Sequence, residues 1–275
     1  MNVLIRFVVI DLIQHILTKR WLLIIPVVAV VAYFTTTSLY QHKVGGIYTI
    51  NIWDALFNTF GNPNNIFYCF TPVFLYFVSD FLPELAIGEY MMLRLRSRKL
   101  WWIGKVVSLS IAAFVYILLL VFGSFVIFGS VFRWSDSWSA FAANNPSDIY
   151  IVPEITNIHP YLAFLCLLSL LLLGWVSLGI LVLLCILAFK SARWGFSVGL
   201  AINLAGLVIH RSEVTGVWTY MSIGNHLLFA YHSFGDRTSH YPSLMLSYVY
   251  WGVWIVIVFI AGMYLARYQD FVRRS

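Results

Sequence analysis

From Tyr161 to Phe189 no charged side chain interrupts a run of Leu, Val, Ile and aromatic residues. At about 1.5 Å per residue, a helix over that run outreaches the roughly 30 Å hydrocarbon layer of a bilayer. Backbone polar groups have no water to turn to there, and a helix pairs all of them internally. The remainder of the chain agrees with a membrane reading. It is 61% hydrophobic and 10% charged, against about half apolar and a quarter charged in soluble domains. The net charge of +6 therefore bears on topology rather than on nucleic acid.

Further apolar runs predict spans over 21–39, with a bend at Pro26, and over 66–82, which contains Pro72. Others follow over 101–131, 161–189, 194–209 and 244–266. Residues 1–20 read differently. Asp11, Gln14, His15, Thr18 and Lys19 share one side of a helix, and Ile5, Val9, Leu12, Ile13, Ile16 and Leu17 share the other. That division predicts an amphipathic helix lying in the interface, with Arg6 snorkelling at its start. No small-residue cleavage site follows it, which argues against a cleaved signal peptide.

Between the first two spans, Asn51, Ile52, Trp53, Leu56, Phe57 and Phe60, ended by Gly61, predict a short helix resting on the membrane surface. The third span is long enough for its first turns to project from the bilayer. Lys190 to Arg193 form a tight turn after the fourth. In the fifth, Gly195, Gly199, Ala201 and Ala205, with Ser197, recur at four-residue steps that let another helix approach. The stretch 210–241 mixes polar edges with apolar content, which predicts a pair of short helices partly re-entering the membrane, with Gly224-Asn225 at the turn. The fold class expected is an all-α integral membrane protein: one domain of six transmembrane helices over 1–275, an N-terminal interfacial helix, and short re-entrant helices between the fifth and sixth spans.

With the N-terminus inside, 13 of the 17 Lys and Arg residues fall on the cytosolic side. Only Lys43, Arg133, Arg211 and Arg237 fall outside. The positive-inside rule then places both termini in the cytoplasm.

Several chemistries are missing from the sequence. No charged residue falls near the middle of a span, where ion-coupled pumps keep theirs. No Gly-x-x-x-x-Gly-Lys-Ser/Thr run binds ATP, and no His-Glu-x-x-His run binds zinc. Cys69, Cys166 and Cys185 imply neither a disulfide framework nor a metal site. His210, His226, His232 and His240 cluster before the sixth span without a ligand spacing. A membrane-embedded enzyme would have to gather His159, Asp148 and Glu154 in the outer loop. A sensory or structural membrane protein is the other alternative.

The largest polar interruption, 83–100, carries Glu84 and Glu89 around Gly88, followed by Arg94, Arg96, Ser97, Arg98 and Lys99, with Lys105 beyond. A short helix running into a positive patch suits a protein contact as well as an anchor on anionic lipid. Together with the six spans, Glu84, Gly88, Leu93, Ser97, Arg98, Gly104 and Lys105 make the chain resemble the type-2 family of ATP-binding-cassette exporter permeases. Arg96 stands where the commoner family pattern has Pro.

The resemblance implies a transmembrane permease subunit in a bacterial cell membrane, paired with a second, identical or different permease subunit. Separate ATPase subunits would bind ATP and Mg, with no cofactor and no catalytic residue in this chain. It implies that Glu84, Gly88, Glu89, Arg94, Arg96, Ser97 and Arg98 couple the permease to the ATPase. The apolar walls expected of the pathway suit a hydrophobic or amphipathic cargo, such as a peptide antibiotic, a lipid or a drug.

Overall fold

The structure, a computed structural model, describes residues 3–44, 49–82, 95, 97–212, 216–234 and 240–268. Among these it is helical, with two isolated bridges, Asn51 to Arg133 and Ser233 to Ser243, in place of any sheet. Helix α1 spans Val3–Ile16 and α2 spans Ile24–Val44, joined through a 3-10 turn at Lys19–Leu23. The break at the expected first bend is this 3-10 turn, and Pro26 lies just after it, in the first turn of α2. Helix α3 covers Ile52–Gly61. A π-helical turn, Asn65–Phe70, then runs into α4, Thr71–Val78, and a 3-10 turn, Ser79–Phe81. Helices α5, Arg98–Val131, and α6, Ala140–Asn144, follow, then α7, Pro160–Phe189, and α8, Ala192–Arg211. Short helices α9, Val217–Met221, and α10, Ile223–Leu227, precede α11, Leu244–Ala266.

Among the described residues five helices are long and apolar enough to cross a membrane: Lys19–Gln41, Arg98–Val131, Pro160–Phe189, Ala192–Arg211 and Leu244–Ala266. The second expected span is the shorter apolar stretch Asn65–Phe81. Pro72 brings no N–H to the ladder and sits in the first turn of α4. The turn before it widens to π geometry, a common local adjustment inside a helix.

Helix α7 is the hub, packed against α4, α5, α8 and α11. Its Gly179 lies under Leu109 of α5, and its Gly174 under Leu227 and Trp251. At the periphery, α11 buries only a narrow stripe of Ser247, Trp251, Val258, Gly262 and Ala266. It leaves Val249, Val253, Val256, Ile257 and Ile260 exposed. The outer faces of α2 and α5 are equally apolar, with Phe34, Phe114 and Phe122 at least half exposed. Faces of that kind, repeated around the bundle, call for an apolar surrounding. The hairpin between α7 and α8 closes through Lys190 at φ 53°, with Ser191 preceding α8.

Two expectations need correcting. Helix α3 exists where predicted, with Asn51 and Asp54 forming a reciprocal cap, but all ten of its residues are buried. It does not rest on a surface, because the 132–159 segment closes over it. Ile52 N–H donates to the Arg133 carbonyl, Trp53 Nε1 to that of Ser135, and Asn51 Nδ2 to that of Ser137.

The first turns of α5 are packed against other helices. Trp101, Trp102, Gly104 and Lys105 are buried, and Trp102 Nε1 donates to the Phe259 carbonyl at 3.0 Å. The pair of short helices before the last span is present, but it turns at Ser222, not at Gly224-Asn225. Both of those residues lie inside α10, where Gly224 backs directly onto the Gly206 carbonyl of α8.

Candidate functional site

A buried ion pair lies at the end of the bundle where α5 begins and α11 finishes. Lys105 and Asp11 meet there with side chains 0% and 2% exposed, Nζ 2.6 Å from Oδ1. Their sequence neighbours explain the meeting. Gly104 lets α1 lie against α5, since a β-carbon at that position would meet the Phe7 ring at 2.5 Å. Asp11 is one turn further along the same inward face of α1 as Phe7.

Lys105 Nζ also donates to the Phe81 carbonyl at 3.0 Å and lies 5.8 Å from the centre of the Phe7 ring. Asp11 Oδ2 finds no hydrogen-bond partner. His15 Nδ1 donates to the Asp11 carbonyl at 2.7 Å and lies 3.4 Å from Oδ1, with its ring stacked on Phe81 at 4.4 Å.

The same end of the second apolar segment is held again from outside. Arg20 forms an ion pair with Asp80, and its guanidinium lies over the Tyr76 ring. Trp21 stacks on Phe77 at 4.9 Å and donates from Nε1 to the His15 carbonyl. Across the loop, Ser97 Oγ accepts from Leu100 N–H at the start of α5, and Arg98 Nη1 donates to the Arg267 carbonyl beyond the end of α11. The residues entering the polar loop and those leaving it are thus each tied to other elements: the first to α1 and α5, the second to α11.

Of the residues expected to couple this loop to a partner, Ser97 and Arg98 are placed at its exit. Glu84, Gly88, Glu89, Arg94 and Arg96 lie outside the described residues. Lys105, read from sequence as part of a positive patch, is instead sequestered in the bundle, so that patch is smaller by one base. The polar face foreseen on α1 is real, yet Asp11 turns into protein rather than toward water, while Ile5, Val9, Ile13 and Leu17 stay exposed. The sequence held no local signal for the pairing, because its partners are 94 residues apart.

The small-residue series on α8 divides. Gly195 and Gly199 are buried against Ile186 and Val182 of α7, with Leu75 of α4 alongside Gly199. Ala201 and Ala205 lie on the exposed face. Between these faces Asn203 is fully buried, its Nδ2 donating to the Phe67 carbonyl in the π-helical turn.

At the opposite end the residues required by an enzyme do not converge. Asp148, Glu154 and His159 are all exposed, no contact joins them, and His159 stacks on Tyr161 at 5.1 Å. Among the described residues no group of three or more His, Cys, Asp or Glu side chains is arranged to hold a metal. Of the four clustered histidines, His226 and His232 are buried and meet at Ser247, while His210 Nδ1 lies 3.2 Å from Asn225 Oδ1.

Fold and hydropathy together define a multi-pass, all-α membrane protein. Comparison of the chain with protein-family models, with curated proteins and with solved structures finds no match in any of the three.

Proposed function

We propose that this chain is the membrane-spanning subunit of an ATP-driven exporter, worked from its basic end by separate ATPase subunits that bind ATP and Mg. On this reading it has six spans, with the short segment Asn65–Phe81 as the second. Both termini face the cytoplasm of a bacterial cell, and a second permease subunit completes the pathway. Helices α9 and α10 then dip back into the bilayer. The cargo is hydrophobic or amphipathic: a peptide antibiotic, a lipid or a lipophilic drug.

The observation that carries the proposal is the bracing of the polar loop. A force applied between Leu82 and Ser97 would be delivered through Asp80 and Phe81 to Arg20, His15 and Lys105, and through Arg98 to the end of α11. Coupling of this kind needs a connected set of packed and hydrogen-bonded groups rather than a catalytic residue.

The test is purification from native membrane. An ATPase should accompany the full chain, the chain alone should hydrolyse no ATP, and Glu84→Arg or Glu89→Arg should reduce the accompanying ATPase. Full ATPase association and transport in both variants would remove the coupling role from this loop. ATP-independent transport driven by an ion gradient would overturn the proposal as a whole.

A further inference from the structure

At the end of the bundle away from the basic loop, two buried imidazoles face one hydroxyl. His226 Nε2 lies 2.8 Å from the Tyr220 carbonyl, and His232 Nδ1 lies 3.1 Å from the carbonyls of Leu228 and Phe229. A carbonyl oxygen only accepts, so each ring has its proton on that nitrogen. The remaining nitrogens, His226 Nδ1 and His232 Nε2, are then lone-pair acceptors, and both sit 2.7 Å from Ser247 Oγ. The hydroxyl owns a single proton, and with the Ser243 carbonyl at the longer distance of 3.5 Å it donates to at most one of the two rings. The other contact sets two lone pairs against each other until an imidazole takes up a second proton.

We infer that His226, Ser247 and His232 form a binding site for one proton, shared through the serine hydroxyl, whose uptake completes the link between the α8–α11 connection and the first turn of α11. The proton comes from water and leaves the trio with a charge of plus one. If His232 Nε2–H donates to Ser247 Oγ, the hydroxyl proton is donated to His226 Nδ1, and passing both protons along reverses the roles without breaking any other bond. A second proton is opposed by the first, since two imidazolium rings would then flank one hydroxyl.

Burial weakens proton binding at both rings. Burial lowers the pKa of His226, opposed by its bond to the Tyr220 carbonyl. Burial also pushes His232 down to about 4, opposed by the Phe229 and Leu228 carbonyls and reinforced by the neighbouring His226.

The titratable groups packed around the trio are uncharged at neutral pH or engaged elsewhere. Tyr250 of α11 stacks on His226 at 3.9 Å, and Tyr248 lies 2.5 Å from Ser169 of α7, with Cys166 nearby. His210 of α8 contacts Tyr231, which in turn contacts Tyr241. Arg211 reaches away to Asn64. Among the described residues no carboxylate is bonded to either ring. His226 borders a mostly apolar groove of about 290 Å³ lined by Tyr220, Leu246, Val249, Tyr250, Val253 and Trp254.

This site lies outside the loop machinery of the proposed exporter, and its test does not involve transport. The full chain, with ¹⁵N-labelled histidine rings and reconstituted in lipid nanodiscs, would be titrated from about pH 7.5 to about pH 3.5 by NMR. His226→Gln and His232→Gln assign the signals.

The expected result is one common midpoint for the two rings, with a summed uptake of one proton. Ser247→Thr should preserve the common midpoint, and Ser247→Ala should split it into two. Two complete, independent titrations in the wild type, or none over the range, would overturn the inference, as would a Ser247→Ala titration indistinguishable from wild type. The wild-type titration decides the matter even if a variant does not fold.

Discussion

Lys105 and Asp11 illustrate how unequal the two ways of removing a buried ion pair are. Taking two charges out of water is costly, and their attraction offsets much of that cost only while both are present. Lys105→Met strands Asp11, whose Oδ2 already lacks a partner, and should lower stability by about 3–5 kcal/mol. Adding Asp11→Leu should restore most of the loss, as read by thermal unfolding in detergent.

Asp54 presents a different case. It is fully buried at the start of α3, where the Asn51 N–H and the Ser139 hydroxyl donate to it, and burial nonetheless raises its pKa to about 6. The folded state therefore holds that proton more tightly than the unfolded chain, where the carboxyl titrates near 3.9. Its contribution to stability is present in full below about pH 4 and is lost as the pH rises through about 6, up to about 3 kcal/mol. Asp54→Asn should flatten that part of the stability profile. A pH slope unchanged in the variant would mean that another group is responsible.

Among the elements, α8 separates two roles that a sequence pattern merges. Gly195 and Gly199 admit the side chains of α7, so Gly199→Leu should force the α7–α8 hairpin apart and reduce the folded yield sharply. Ala201→Leu, on the exposed face, should alter monomer stability by no more than about 0.5 kcal/mol. If a second permease subunit packs on that face, the same substitution should weaken the pairing, which cross-linking in membranes would detect.

The periodicity of 194–209 announced a close helix approach but could not assign the small residues to partners. Four-residue steps describe only one helix, whereas the split depends on where α7 and α4 lie around it. Helix α3 makes the same point. Its cap and apolar face were legible from Asn51 to Gly61, while its complete burial depends on loop 132–159, whose mixture of polar and apolar residues has no helical or strand period to show which element it covers.

For the molecule as a whole, the exporter proposal together with the braces around the polar loop predicts a transport phenotype without a folding phenotype. Arg20 and Asp80 are 47% and 38% exposed, and an ion pair in that setting adds little to stability, up to about 1 kcal/mol. Arg20→Asp or Asp80→Arg should therefore leave expression and thermal unfolding nearly unchanged while lowering ATP-driven transport. The double exchange should recover transport, and failure to recover would locate the coupling elsewhere.

The sequence by itself determined the helical class, the positions of the apolar runs, the two faces of α1 and the crowding of bases toward one end. Each of these follows from interactions within a few turns or from the mismatch between apolar side chains and water. Tertiary structure alone decided that Lys105 reaches Asp11, that α3 is enclosed, and that His226 and His232 converge on Ser247. A buried polar group must find its partner wherever packing delivers one, and in a helical bundle that partner lies on another helix, at a separation no local pattern encodes.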